Sequence, residues 1–124
     1  MFKINPNSSI PVYEQIEQNI IEYIILGILK PHDVLPSVRN VAKELGINPN
    51  TVSRAYSELD SKKITYSIAG KGIYVNENTE IINTHLINLK AEFKDLYEKL
   101  IKLGYSKEEL YKFLEGGVTN DWYS

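Results

Sequence analysis

A group of small polar side chains and one arginine stands at helical spacing in the stretch GINPNTVSRAYSEL, residues 46–59. Asn50 and Thr51 carry amide and hydroxyl groups that can hydrogen-bond a DNA base edge or a phosphate oxygen. Arg54, one helical turn later, can donate two parallel hydrogen bonds to guanine or to a phosphate. Ser53 precedes it and is equally consistent with a neutral helix surface. This combination predicts recognition of a nucleic acid.

Two further places in the sequence offer groups for a phosphate. Ser37 begins a predicted helix whose unpaired N–H groups suit an anion, and Arg39 follows two residues later, where a phosphate contact is favoured over simple solvation. In a tight turn further along, Gly70 and Gly72 allow the backbone to approach DNA closely, and Lys71 adds a positive charge. A hairpin that only closes the fold is the alternative for this turn.

The distribution of charge supports this prediction more than the total charge does. The chain of 124 residues has a formal net charge of −2, which by itself argues against a polyanionic partner. Residues 30–75, however, hold seven basic and four acidic side chains, a net charge of +3, while the remainder has a net charge of −5. A basic middle in an acidic chain is typical of a surface directed at DNA, and lysines that only solvate exposed faces are the alternative.

Two short helices with a tight connection are predicted to carry these polar groups. Ser37 is a good N-cap for the first, because its hydroxyl can accept a free backbone N–H, and Gly46 supplies the left-handed residue that ends it. Asn48 caps the second helix and Pro49 fits its first position. Since only about three residues separate the two helices, the pattern is typical of a helix-turn-helix. The apolar residues predicted to hold the second helix on the core are Val52, Ala55, Tyr56 and Leu59.

The neighbouring stretches complete a winged helix-turn-helix. A broad apolar stripe predicts a helix over residues 11–28, ahead of the pair. After residue 63 the apolar period changes from about 3.6 to 2, which predicts a two-stranded hairpin, or wing, that turns at residues 69–72. In such a domain the second helix of the pair enters the major groove and the wing reaches the neighbouring DNA backbone or minor groove.

The C-terminal part has a different pattern. Seven apolar residues are spaced alternately four and three apart, a heptad pattern that predicts a helix packed against a second copy of the chain. A short helix after Gly104 is expected to add buried surface, and a stripe folded back onto its own winged domain is the alternative. The predicted interface residues of this homodimer are Ile82, Leu86, Leu89, Phe93, Leu96, Leu100 and Leu103.

The sequence therefore predicts a mainly α fold with a small β-hairpin and two parts. Residues 1–76 are predicted to form the winged helix-turn-helix DNA-binding domain, and residues 77–124 a two-helix dimerisation segment.

Other function classes lack the residues they need. The chain has no cysteine, which excludes disulfides and thiolate chemistry. His32 and His85 are the only histidines and lie in different predicted elements, so neither a metal site nor a nucleophile–base pair is predicted. The N-terminus lacks a signal-peptide pattern, and the apolar run at residues 20–29 is shorter than the ~20 residues of a membrane span. We expect a cytoplasmic protein that is not an enzyme, takes no cofactor and does not enter a membrane.

A series of motifs occurs in order between residues 11 and 75: P-V-Y-E-Q-I, L-K-P before an aspartate, L-P-S-x-R, L-G-I-N-P-N-T-V-S-R-A-Y and G-K-G. With these motifs the stretch closely resembles the N-terminal DNA-binding domain of GntR-family bacterial transcription regulators. The N-P-N-T-V-x-R-A-Y form, followed by a short C-terminal part with L-G-Y-S-K-E-E-L, is similar to the YtrA-type subfamily.

The resemblance implies a set of DNA contacts by position. His32 and Lys63 stand where the family usually has glycine. Ile68 and Ala69 occupy wing positions that are often arginine, so the resemblance leaves open whether this wing contacts DNA. The residues that match the family's contacts are Ser37, Arg39, Asn50, Thr51, Ser53, Arg54, Gly70, Lys71 and Gly72.

Two functions are consistent with these patterns. The first is a homodimeric, sequence-specific transcription regulator, expected to be a repressor, that binds an inverted-repeat operator in double-stranded DNA. The second is a winged-helix protein-interaction module that has lost DNA binding, which the overall acidic charge and the uncharged Ile68-Ala69 pair would suit. The operator sequence, the regulated genes and any small-molecule effector are not readable from the sequence.

Overall fold

The computed structural model describes residues 2–77 and 79–116, and in this part of the chain it has five helices and one two-stranded sheet. The chain divides into two compact units, Met1–Thr84 and His85–Ser124. No helix of the described residues is both long and apolar enough to cross a membrane. The predicted mainly α fold with a small hairpin is confirmed. Its elements are α1 (Val12–Ile25), α2 (Val38–Leu45), α3 (Pro49–Ser61), β1 (Thr65–Ile68), β2 (Gly72–Val75), α4 (Thr79–Lys102) and α5 (Lys107–Gly116).

The helix-turn-helix has the predicted end groups. The Ser37 hydroxyl accepts the backbone N–H of Asn40 at 3.1 Å, and the Asn48 side chain accepts that of Asn50 at 2.8 Å. Between these caps, Gly46 has φ of 65° and ends α2, a left-handed backbone that glycine adopts without strain. Pro49 occupies the first position of α3, where its missing N–H costs nothing. These capping predictions are confirmed.

Helix α1 is shorter than its apolar pattern predicted. It ends at Ile25 rather than at residue 28, because Gly27 has φ of 75° and turns the chain away from the helix axis. Pro11 precedes the helix as its N-cap residue instead of lying within it. The apolar period continues through residues that no longer belong to the helix, which is why it overestimates the length.

One hydrophobic core joins α1, α2, α3 and the wing. The largest fully buried side chains are Ile16, Ile20, Val41, Val52, Leu59 and Val75. The α3 face predicted from its period, Val52, Ala55, Tyr56 and Leu59, is buried throughout. The N-terminal arm also contributes: Phe2 is buried and stacks on Tyr23, with 5.9 Å between ring centroids. Because the arm has no helical or strand period, pattern alone did not predict this contribution.

Two residues at family glycine positions keep a glycine-like backbone. His32 has φ of 70° and Lys63 has φ of 61°, so both turns are left-handed despite the side chains. The His32 ring is held on both sides, by the Tyr66 hydroxyl at 2.7 Å and by a Glu77 carboxylate oxygen at 2.7 Å. Tertiary contacts of this kind compensate for a backbone conformation that a non-glycine residue disfavours.

The second unit contains α4 from His85 onward, and α5. Ser106 caps α5 by accepting the backbone N–H of Glu109 at 3.1 Å, and Leu110 of α5 is buried. Apolar side chains of α4 and α5 line an open groove of about 190 Å³: Phe93, Leu96, Tyr97, Leu100, Leu110, Phe113 and Leu114.

The predicted dimer stripe falls into two parts. Ile82 packs against the core of the first unit, together with Ile81, which the heptad pattern did not predict. Four of the other residues remain exposed: Leu89, Phe93, Leu96 and Leu103. Leu86 and Leu100 are half-buried. The assignment of the stripe to a dimer interface stays a prediction.

Candidate nucleic-acid interface

Helix α3 presents one polar face and buries the opposite one. Val52 and Ala55 are fully buried, whereas Asn50, Ser53 and Arg54 are exposed, and the side chain of Thr51 is half-buried. The outward set predicted from helical spacing therefore lies on the surface of the helix, at and just after its N-terminal end. Donors and acceptors in this place can reach base edges and phosphates without moving the apolar face.

The remaining predicted contacts lie on two other elements of the first unit. Ser37 and Arg39 are exposed at the start of α2. Gly70 and Lys71 are exposed in the turn of the wing after Ile68, and Gly72 is exposed next to them as the first residue of β2. Gly70 has φ of 75° and Gly72 has φ of 137°, so this turn needs glycine for its backbone.

Several polar contacts fix α3 within its unit. Lys62, which follows the helix, donates to the buried Glu17 carboxylate of α1 at 2.8 Å. That hydrogen bond is the main reason that the pKa of Lys62 is raised above its ordinary value. Tyr56 donates to the backbone oxygen of Pro36 at 2.6 Å, and burial raises the pKa of its phenol. The helix that carries the polar face is thus tied to α1 and to the segment before α2.

Arg54 makes a contact that sequence reasoning missed. Its guanidinium carbon lies 3.8 Å from the centroid of the Tyr13 ring in α1. This is a cation–π distance, since such pairs form within about 6 Å. Tyr13 belongs to the apolar stripe of α1. An aromatic residue at an apolar position carries no sequence signal that an arginine of another helix will stack on it.

Asp60 links the end of α3 to the wing. One of its carboxylate oxygens accepts the Thr65 hydroxyl, and the other accepts the Ser67 hydroxyl at 2.5 Å. Both hydroxyls belong to β1, and Thr65 is buried. Hydrogen bonds to an ionised acceptor are stronger than those between neutral groups. The single carboxylate therefore ties β1 of the wing to the end of α3.

We expect Asp60→Ala to lower the free energy of unfolding by about 1–3 kcal/mol, because it leaves the buried Thr65 hydroxyl without its acceptor. Ser67→Ala is the matched control, since it removes one hydrogen bond at an exposed side chain and should cost less than about 1 kcal/mol. Urea denaturation of both variants measures the difference. Equal stability of the two variants would contradict the role given to Asp60.

Comparison with known proteins assigns this domain to a family. The profile described as "Bacterial regulatory proteins, gntR family" matches residues 12–75, which is just over half of the chain. The chain belongs to the GntR family. The matched stretch contains the helix-turn-helix and the wing, so the resemblance based on its motifs is confirmed.

Relatives extend the match beyond the GntR domain. The HTH-type transcriptional repressor YtrA of Bacillus subtilis (strain 168) is 38% identical over 130 residues, covering 98% of this chain and 100% of that protein. A GntR family transcriptional regulator from Listeria monocytogenes has a TM-score of 0.76 at 32% identity, covering 90% of this chain and 99% of that one. AraR(DBD), solved in complex with operator ORX1, has a TM-score of 0.53 at 27% identity over 60% of this chain and 92% of its own.

These matches establish the class of the GntR-family chain. It is a transcription regulator with a DNA-binding winged helix-turn-helix, and its relatives are regulators rather than enzymes. The similarity to YtrA covers the C-terminal helices as well as the GntR domain, so the YtrA-type resemblance is also confirmed.

Proposed function

We propose that the protein is a homodimeric transcriptional repressor that binds an inverted-repeat operator and acts in the cytoplasm. The observation that carries the proposal is the polar face at the N-terminal end of α3. Asn50, Ser53 and Arg54 are exposed there, and the opposite face of the helix is buried. In this architecture that end of the second helix enters the major groove and reads base edges. Ser37, Arg39 and the turn of the wing would hold the neighbouring phosphates.

Two relatives support the proposed repression and operator binding. The YtrA protein of Bacillus subtilis is described as a repressor, and its similarity covers nearly the whole of this chain. The AraR domain was solved in complex with an operator, and it matches 60% of this chain at 27% identity. We extend both properties, repression and operator binding, to this chain.

The exposed apolar surface of the second unit supports the homodimer. Phe93 and Leu96 are 62% and 60% exposed and lie at heptad positions of α4, next to the groove that α4 and α5 form. Apolar side chains at heptad spacing are stabilised when a partner helix covers them. A dimer would also let two reading helices address half-sites about one helical turn, ~34 Å, apart. The boundary of the dimerisation segment at residue 77 stays a prediction.

Selection from a random-sequence pool of DNA duplexes tests the proposal. The full chain should enrich an inverted repeat, and its affinity for that duplex should fall steeply with salt as phosphate counterions are released. Enrichment of a single half-site without a repeat would contradict the dimer. Failure to enrich any sequence at low salt would contradict operator binding.

A protein-interaction module is the second candidate, and one observation favours it. Ile68 is 42% exposed at the end of β1, so the wing shows an apolar side chain at a position where the family often has arginine. Such a wing would suit a protein surface better than a phosphate backbone. If the random pool gives no enriched sequence, this candidate replaces the first.

A further inference from the structure

We propose that Tyr13 is a positioning residue for DNA recognition, because its ring fixes the Arg54 guanidinium before DNA binds. The inference rests on the proposed function, in which Arg54 contacts the operator. Tyr13 lies in the first turn of α1, outside the helix-turn-helix. It acts through Arg54 rather than by touching DNA.

The flat face of the Arg54 guanidinium and the N–H groups at its edge can serve different partners. With its central carbon 3.8 Å from the ring centroid, the group lies over the face of the Tyr13 ring. Such stacking uses the flat face of a guanidinium, whereas hydrogen bonds to guanine or phosphate use the N–H groups at its edge. Arg54 can therefore keep its contact with Tyr13 and bind DNA at the same time.

The ion pairs of the first unit also support the positioning role of Tyr13. Among the described residues Lys62 forms an ion pair with Glu17, the His32 ring is hydrogen-bonded to Glu77, and no ion pair involves Arg54. A carboxylate hydrogen-bonded to the guanidinium would compete directly with phosphate, whereas an aromatic ring is a neutral partner. The Tyr13 contact thus orders the side chain while leaving its charge for a polyanion.

The Tyr13 side chain of this contact is held in place within the first unit. Tyr13 is half-buried and packs against the hydrophobic core, and its hydroxyl donates to Glu14 at 3.2 Å. Arg54 itself is exposed on α3. A free arginine loses much rotamer freedom when it binds, so an arginine already held on a ring loses less. Pre-ordering should therefore appear as tighter and more selective operator binding.

A double-mutant cycle with a conservative rescue tests this role. The four proteins are the wild type, Tyr13→Leu, Arg54→Ala and the combination of both, with Tyr13→Phe as the matched control that keeps the ring and loses the hydroxyl. Affinity is measured for the duplex enriched from the random pool and for a scrambled duplex. Urea denaturation is measured on every variant, so that binding is compared only where the protein is folded.

We expect Tyr13→Leu to weaken operator binding by about 3- to 30-fold, with little change for the scrambled duplex. Tyr13→Phe should stay within about 2-fold of the wild type, since the ring face remains. In the Arg54→Ala background, Tyr13→Leu should have almost no further effect, because the side chain that it positions is absent. Coupling of this kind is not expected from a residue that only stabilises the fold.

Three results would overturn the inference. Equal losses from Tyr13→Leu in the wild-type and Arg54→Ala backgrounds would mean that the ring acts independently of the arginine. Equal effects of Tyr13→Phe and Tyr13→Leu would assign the effect to the hydroxyl. Unchanged operator affinity of Arg54→Ala would remove the contact on which the role depends, while the regulator function would stand. A wild type that enriches no duplex would instead overturn the proposed function itself.

Discussion

Arg54→Ala should reduce affinity for the operator by about 10- to 100-fold, while the protein remains folded and dimeric. A bidentate contact from arginine to guanine contributes about 1–3 kcal/mol of discrimination, and the truncated side chain cannot replace it. The side chain is exposed, and its contact within the chain is a stack on Tyr13, so the core should tolerate its loss. Titration of the selected duplex measures the affinity.

Lys43→Ala is the matched control for Arg54→Ala. It removes the same charge from an exposed position in the last turn of α2 that is not among the predicted DNA contacts. We expect it to change operator affinity by less than about 3-fold, the size of a general electrostatic effect. If both variants lose affinity equally, Arg54 contributes only charge and its role as a reading residue is wrong.

The salt dependence of Arg54→Ala identifies the group that the arginine contacts. If it binds a phosphate, the slope of log affinity against log salt should fall by about 1, because one fewer counterion is released. If it binds a base, the slope should stay close to that of the wild type and the loss should be confined to the operator. The first result would make Arg54 a positioning contact on the DNA backbone, and the second would assign it to reading a base.

The double variant Leu89→Glu and Phe93→Glu should convert the dimer into a monomer and lower operator affinity by about 10²-fold or more. Both side chains are exposed within the chain, Phe93 by 62%, so charges there should leave each protomer folded. In a dimer the same charges would lie opposite each other in an apolar seam and would repel. Loss of the second half-site removes the avidity of two linked reading heads. Light scattering measures the mass, and duplex titration measures the affinity.

Ile87→Glu gives this experiment its control. Ile87 is 65% exposed on the same helix but lies outside the heptad stripe, so its substitution should leave both the mass and the affinity unchanged. A Leu89→Glu and Phe93→Glu variant that stays dimeric would place the interface elsewhere. A variant that becomes monomeric yet binds the operator as tightly as the wild type would contradict the need for two half-sites.

The helix-turn-helix could be predicted from the sequence because its caps and turn depend on interactions between residues close together in the chain. Ser37, Gly46 and Asn48 act on backbone groups within three or four residues of themselves, so their roles do not depend on the rest of the fold. The buried face of α3 follows from the 3.6-residue period in the same way. Because both signals are local, they also located the polar face that DNA would meet.

Contacts between different elements could not be predicted in this way. Asp60 at the end of α3 accepts hydrogen bonds from Thr65 and Ser67 of β1. Arg54 of α3 contacts Tyr13 of α1. The left-handed backbone at His32 is supported by side chains 34 and 45 residues further on. No period or cap encodes such pairs, since they exist only after the elements have packed.

The sequence by itself determined the caps, the turn, the polar and apolar faces of α3 and the family, because each depends on residue types at short spacing. Tertiary structure alone decided that Ile82 joins the first core rather than only a dimer stripe, and that Arg54 rests on an aromatic ring. The physical reason is that burial and side-chain pairing depend on which surfaces meet in space. A pattern along the chain predicts the faces of each element, but packing determines what each face contacts.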